Sequence, residues 1–301
     1  MSTEGNKAIL RRGLLEMWSQ GDLSILEELI APDYIMHDVA GDFRGVEAYK
    51  QLFNLYRSAF PDLRFTVDDQ VSEGDLVATH WTSSGTHRGE LMGIPATGKQ
   101  TTSMGVTFSR IANDRAVEEW NYWDALGLLQ QLGVVPAMGR TDFTWSEPSP
   151  ITGDPGMPEA NKAIAMRYTD EVWNQRELDV LDEIMGADVV SHEATTEHVV
   201  GHGLNAMKQG ITIYLTAFPD LHSTIDSMIA EGDKVVQRWT ATGTNKGELM
   251  GMPATGKQAT WIGVTIYRFA DGKIAELWWA WNALGLLQQL GVVPPMGEGS
   301  E

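Results

Sequence analysis

Apolar and polar positions along this chain follow two rhythms, and the rhythms come in blocks. Residues 8–20 place Ile9, Leu14, Met17 and Trp18 near one helical stripe, so a helix is expected there. Gly21-Asp22 breaks it, and Asp22 is suited to cap a second helix over 23–30 that Pro32 ends. A short strand over 34–38 precedes a third helix over 47–60, which carries Tyr49, Leu52, Phe53 and Tyr56 on one side and stops at Pro61. The rhythm then changes to alternation over 63–71, 76–85, 101–111 and 117–123, the mark of half-buried antiparallel strands. A short amphipathic helix over 125–132 closes the block before Gly133. Three helices followed by a strongly bent antiparallel sheet make an α+β cone, with helices on the concave sheet face and a pocket open at one end.

The block is written twice. GTHRGELMGIPATGKQTT at 85–102 returns as GTNKGELMGMPATGKQAT at 243–260, with 14 of 18 positions identical at an offset of 158. ALGLLQQLGVVP recurs unchanged at 125–136 and 283–294. Nearer each start the offset is 155, pairing Trp18 with Trp173 and His37 with His192, because the second copy carries three extra residues at 194–202. Repetition at this period is duplication of a whole domain. The reading is one domain over 1–137, a Pro/Gly-rich linker over 138–158, and a second domain over 159–301. The copies are expected to pack as an intra-chain pseudo-dimer, with a homo-oligomer as a further arrangement.

Composition narrows the function. Lys plus Arg number 22 against 41 Asp plus Glu, a net charge of −19, which disfavours nucleic acid and anionic membranes as partners. With no Cys, thiol nucleophiles, disulfides and thiolate metal sites are excluded. Nothing in the first residues resembles a signal peptide and no apolar run would span a bilayer, so a soluble, cytoplasmic protein is expected. GIPATGKQ at 93–100 falls one residue short of a phosphate loop; Pro95 removes a donor N–H, and the alternation after Lys99 is a strand rather than a helix. It reads as a hairpin connection. Among the seven His, only His198 and His202 have ligand-like spacing, in the second-copy insertion, where a solvated loop is the simpler reading. No metal and no cofactor are expected.

Chemistry must therefore come from polar groups in aromatic strands. Trp120, Tyr122 and Asp124 alternate onto one face at the end of the last strand of copy one, and a desolvated Asp124 could serve as a general acid. The alternative is that Asp124 caps the helix after it. His37 shares a strand face with Ile35, as His192 does with Val190, which suggests pocket histidines or satisfied core histidines; by alternation Asp38 points away. His80 and His87 flank the segment that begins at Trp81, and become Arg238 and Asn245 in copy two. Asp124 becomes Asn282, which has its shape but cannot exchange a proton near neutral pH. Copy one is thus the candidate active copy and copy two a degenerate one.

With GTHxGELMGxPATGK at 85–99, EEW at 118–120 and DxxGLLxQLG at 124–133, the sequence resembles the SnoaL-like polyketide cyclase (ester cyclase) family of the NTF2-like superfamily, over essentially all of both copies. The resemblance implies two NTF2-like cone-shaped domains and a cofactor-free ring closure of an aromatic polyketide ester by intramolecular aldol condensation. It maps the acid/base Asp to Asp124, assisted by His37 or His87. His80, Trp81, Trp120, Asn121, Tyr122, Trp123, His192, Arg238 and Asn282 complete the expected substrate-binding set. The competing readings are a related isomerase or hydrolase, a non-catalytic carrier of apolar small molecules, and a structural role.

Overall fold

The computed structural model describes residues 2–39, 41–136, 153–154, 156–193 and 202–294, with the side chain of residue 193 excepted. The chain divides into two compact units, the first ending at Pro136 and the second at Val293. Each is an α+β cone of the NTF2-like kind.

In the first unit, α1 (Thr3–Arg12) begins where the Ser2 hydroxyl accepts the Gly5 N–H at 3.2 Å. Arg11 and Arg12 in its last turn suit the negative end of the helix dipole. The helix then widens into a π-helical turn over Gly13–Trp18, a distortion common where helices border sites. Helix α2 (Leu26–Leu29) leads to β1 (Ile30–Asp38) and a short partner β2 (Gly41–Arg44). Helix α3 (Gly45–Ala59) buries Tyr49, Leu52 and Phe53. Strands β3 (Arg64–Glu73), β4 (Leu76–Thr86), β5 (Gln100–Ala112) and β6 (Arg115–Trp123) form a meander, and α4 (Ala125–Leu132) closes the unit.

The sheet order is β2-β1-β6-β5-β4-β3. Two expectations are corrected by it. The sheet is mixed, because β1 runs parallel to β6 while its other pairings are antiparallel. The meander returns its last strand beside the first, and the long connection through α3 permits a parallel pairing that a tight turn could not. Strand β2 was not foreseen, its four residues being too few to show a period. Pro32 does not terminate a helix; it lies inside β1 between Ile30 and Ile35, where the register with β6 shifts and a missing N–H is tolerated.

The core lies between helices and concave sheet face. Leu10 and Met17 of the first helix, Leu26 of α2, Tyr34 and Met36 of β1, and Leu52 and Phe53 of α3 are buried together. Gly105 of β5 fits only as glycine: a Cβ there would stand 2.5 Å from the Trp81 ring and 2.6 Å from the Tyr122 carbonyl oxygen. The indole of Trp81 therefore lies across β5 at this point.

The second unit repeats the plan: α5 (Pro158–Arg167) with a π-helical continuation over Tyr168–Asn174, α6 (Val180–Ile184), β7 (Met185–Glu193), α7 (Leu204–Ala217), β8 (His222–Glu231), β9 (Lys234–Thr244), β10 (Gln258–Ala270), β11 (Lys273–Trp281) and α8 (Ala283–Leu290). Its sheet order is β7-β11-β10-β9-β8, with β7 parallel to β11. Most of the expected linker and His198 lie outside the described residues. Its final part is tied to the second unit, where the Asp271 N–H donates to the Asp154 carbonyl oxygen and the Asp154 N–H to the Asp271 carboxylate. Among the described residues no helix is long and apolar enough to cross a membrane.

Asp124 and Asn282 are helix caps of the same geometry. Asp124 Oδ1 accepts the Gly127 N–H at 2.8 Å, and Asn282 Oδ1 accepts the Gly285 N–H at 2.7 Å. Either side chain supplies the acceptor, so Asp124→Asn should leave stability unchanged, whereas Asp124→Ala should cost about 1 kcal/mol. Urea unfolding monitored by circular dichroism checks both variants.

Candidate active site

The concave face of the first unit carries a partly open cavity of about 150 Å³. The comparable engineered cavity of that size admits one benzene-like ring. Most of its wall is apolar or aromatic, from Leu14, Met17 and Trp18 of the first helix to Tyr49 and Tyr56 of α3 and Phe60 beyond it. Its polar side is built by β1, β4, β5 and β6. Trp81 Nε1 donates to Thr107 Oγ1 at 2.9 Å, Thr107 Oγ1 lies 3.0 Å from Asn121 Oδ1, and Asn121 Nδ2 donates to Asp38 Oδ2 at 2.8 Å. Trp123 Nε1 donates to that same oxygen at 3.2 Å. A carboxyl with two N–H donors on one oxygen is fixed in place on this wall.

Asp38 reaches this wall through strand register. Parallel pairing sets Met36 opposite Glu119 and His37 opposite Trp120, so continuing it brings Asp38 beside Asn121. Tyr34 and Met36, buried on the inner face, carry Asp38 with them by alternation. The expectation that Ile35 and His37 face inward is therefore corrected: His37 lies on the opposite face. It stacks on Trp120 with ring centroids 5.5 Å apart, and its nitrogens meet Asp42 at 2.8 Å and Glu118 at 3.2 Å. The His37 contact, seconded by Arg44, holds Asp42 below the usual carboxylate range. His192 repeats the arrangement, stacked on Trp278 at 5.1 Å and 2.7 Å from Glu276. A cluster that both units keep belongs to the scaffold.

The other expected residues divide by strand alternation. Trp81, Asn121 and Trp123 line the cavity. Trp120, Tyr122 and His80 sit between inward-facing neighbours and point to the other face, as Arg238 does between Gln237 and Trp239. Asp124 and Asn282 are the caps described above, and neither lines the cavity of its unit described here. His87 is buried behind Phe60, with Nδ1 3.1 Å from Thr97 Oγ1, and burial lowers its pKa. Asn245 does the same work in unit two, accepting the Thr255 N–H at 2.8 Å. Both clamp the PATGK loop, which passes directly into β5 or β10 as a connection between strands.

Two cavity carboxyls escaped the sequence reading: Asp38, assigned to the wrong face, and Glu119. Glu119 is buried, accepts the Tyr34 hydroxyl, and lies 2.8 Å from the Ser109 hydroxyl. Burial raises its pKa, and those two hydrogen bonds pull in the opposite direction.

Unit two fills the same space. Its cavity is about 50 Å³. At the repeat offsets, Gly13 becomes Tyr168, Ser103 becomes Trp261, Ser109 becomes Tyr267 and Asn121 becomes Trp279. These rings pack edge-on: Tyr168 lies 5.8 Å from Tyr267 and 6.2 Å from Trp279. The Trp–Thr pair persists as Trp239 and Thr265, 3.0 Å apart. Among the described residues no group of three or more His, Asp or Glu is placed to hold a metal ion.

Comparison with known proteins decides the family. The SnoaL-like polyketide cyclase family matches residues 8–132 and again 163–290. The chain belongs to that family, as a tandem duplication. A curated relative, nogalonic acid methyl ester cyclase of Streptomyces nogalater, is 26% identical over 123 residues, which is 40% of this chain and 92% of that protein. Among solved structures, AclR of Streptomyces galilaeus is 32% identical, covering 47% of this chain and 87% of its own, with a TM-score of 0.42. IdmH of Streptomyces antibioticus is 38% identical, covering 43% of this chain and 99% of its own, with a TM-score of 0.39.

The cavity difference has a direct test. Indole, a flat apolar aromatic, should bind with one equivalent per chain, and Ser103→Trp should abolish binding by placing in unit one the ring that fills unit two. Isothermal titration calorimetry reports both. Two equivalents per chain, or retained binding in the variant, would contradict the assignment of the open cavity to unit one.

Proposed function

We propose that the unit-one cavity is the active site of a cyclase that works without a cofactor, by acid–base catalysis of an intramolecular aldol addition, with Asp38 as the base. The observation that carries this is a carboxyl held by Asn121 and Trp123 on the wall of a cavity that Trp18, Trp81 and Trp123 also line. Asn121 becomes Trp279 in the second unit, where the space is filled. The roles assigned on sequence to Asp124, His37 and His87 pass to Asp38 in this reading, since those side chains serve as cap, outer-face partner and loop clamp.

The chemistry asks little of the protein. A methylene between two carbonyl groups is already acidic, and the cavity must hold the chain folded with donor carbon and acceptor carbonyl in contact. Such positioning substitutes for an improbable encounter and is worth several kcal/mol of barrier. Asp38 takes the proton from carbon, with its lone pair aimed by the two N–H donors on the other side. Trp18, Trp81 and Trp123 offer flat apolar surfaces for a ring. The relative's name supplies a candidate class, an aromatic polyketide methyl ester, of which about one ring fits inside that volume.

Incubation with a panel of aromatic polyketide methyl esters, nogalonic acid methyl ester among them, followed by liquid chromatography–mass spectrometry, tests the reading. A product of unchanged mass and shifted retention is expected. Asp38→Asn should lower kcat/KM about 10²- to 10⁴-fold while indole affinity stays within threefold. Full activity in Asp38→Asn would overturn the base assignment. Compounds bound but returned unchanged by the wild type would establish the carrier reading, which the largely apolar wall also suits.

A further inference from the structure

The two units act as an internal control for which polar groups the fold itself requires. In unit one, Glu119 on β6, Tyr34 on β1 and Ser109 on β5 form a buried polar cluster at the cavity wall. At the repeat offsets these become Leu277, Val189 and Tyr267. Leu277 and Val189 are fully buried, in a strand pairing of the same register as its counterpart, with Glu276 opposite Val190 as Glu118 is opposite Ile35. The architecture therefore accepts apolar residues where unit one keeps a carboxyl. Burying a carboxyl is costly, and a fold that can do without it gains nothing in stability from holding one. What distinguishes the unit that keeps it is an open cavity, and Glu119 lines that cavity.

We propose that Glu119 is a second catalytic carboxyl of unit one, the general acid that pairs with Asp38. This rests on the reading of the cavity as a cyclase site. In the step, Asp38 removes the proton from carbon, and that C–H electron pair forms the new carbon–carbon bond. The π pair of the acceptor carbonyl moves onto its oxygen, and the oxygen takes the proton held by Glu119. One proton leaves carbon and one reaches oxygen, so the substrate isomerises without gain or loss of mass. The proton on Asp38 then returns to Glu119 before the next turnover.

The surroundings suit a carboxyl that keeps its proton. From β1 it meets the Tyr34 hydroxyl, and Asp38 further along that strand lines the same cavity; from β5 it meets Ser109; from α3 the phenol of Tyr49 feels it. Among these described neighbours none is a cation, and two carboxyls sharing one apolar space disfavour double ionisation. Burial favours the protonated form of Glu119, against the pull of the two hydroxyls that donate to it, whereas Asp38 accepts two N–H donors on one oxygen.

The test combines a readout that needs no substrate with one that does. Infrared difference spectra of wild type against Glu119→Gln, in full-length protein at neutral pH, should show the carbonyl stretch of a protonated carboxylic acid that Asp38→Asn retains and Glu119→Gln lacks. Its absence from the wild type overturns the proposal, whatever the enzyme turns over. In turnover of a panel substrate, Glu119→Gln should lose at least 30-fold in kcat and its fall in rate at alkaline pH, with indole affinity unchanged. That fall arises because an acid is lost as pH rises through its pKa. An unaltered pH profile in Glu119→Gln, with Asp38→Asn inactive, would reject Glu119 and leave the Asp38 reading standing. The double variant Tyr34→Phe/Glu119→Leu, made apolar like unit two, should unfold at no lower urea concentration than the wild type. A large loss of stability would instead assign the cluster a structural role and overturn the proposal.

Discussion

Parallel pairing of the first strand with the last governs everything described in unit one. It sets Met36 opposite Glu119 and His37 opposite Trp120, and so puts Asp38, Asn121 and Glu119 on one concave wall. Side chains alternate with a period of two, so a slip of one residue would carry Asp38 to the outer face and bring His37 in. The pairing also joins strands from the two ends of the unit's sequence, Asp38 and its partner Asn121 being 83 positions apart. A site built across that closure is complete only when the whole unit has folded.

Around this constraint the cone offers two solutions to one packing problem. A strongly curved sheet covered by helices leaves a hollow, and a hollow forfeits dispersion contacts unless something fills it. Unit two fills it from within, placing Tyr168, Trp261, Tyr267 and Trp279 where unit one has Gly13, Ser103, Ser109 and Asn121. Unit one leaves about 150 Å³ open and lines it with groups that need partners, satisfied by the Trp81–Thr107–Asn121–Asp38 chain. The retained Trp239–Thr265 bond shows that part of this chain is scaffold in both units.

The sequence made the architecture legible because duplication, helix spacing and strand alternation are local signals repeated twice. The site was legible only in part. Trp81, Asn121 and Trp123 were found because they stand in strands that alternate clearly, whereas Asp38 was lost to a choice of face in β1. Tyr34 and Met36 are as apolar as Ile35, so the pattern of β1 alone fits either face; the parallel partner breaks the tie, and that contact is non-local. Asp124 is ambiguous for a different reason. Carboxylates at strand ends before a helix are both good caps and good acids, and this one accepts the Gly127 N–H as a cap does. His87 illustrates the remaining ambiguity, since Asn245 performs the same clamp without a titratable ring.

The filled cone of unit two also bears on how this chain tolerates change. Gly13, Ser103, Ser109 and Asn121 face the hollow in unit one, and any enlargement there intrudes on that space. Their counterparts already hold rings in contact with one another, so a shortened side chain opens a gap that neighbouring aromatics can partly reoccupy. Under the proposed reading, packing alone constrains these positions in unit two, while in unit one they answer to packing and chemistry together. Divergence between the halves, read position by position, separates those two demands within a single gene.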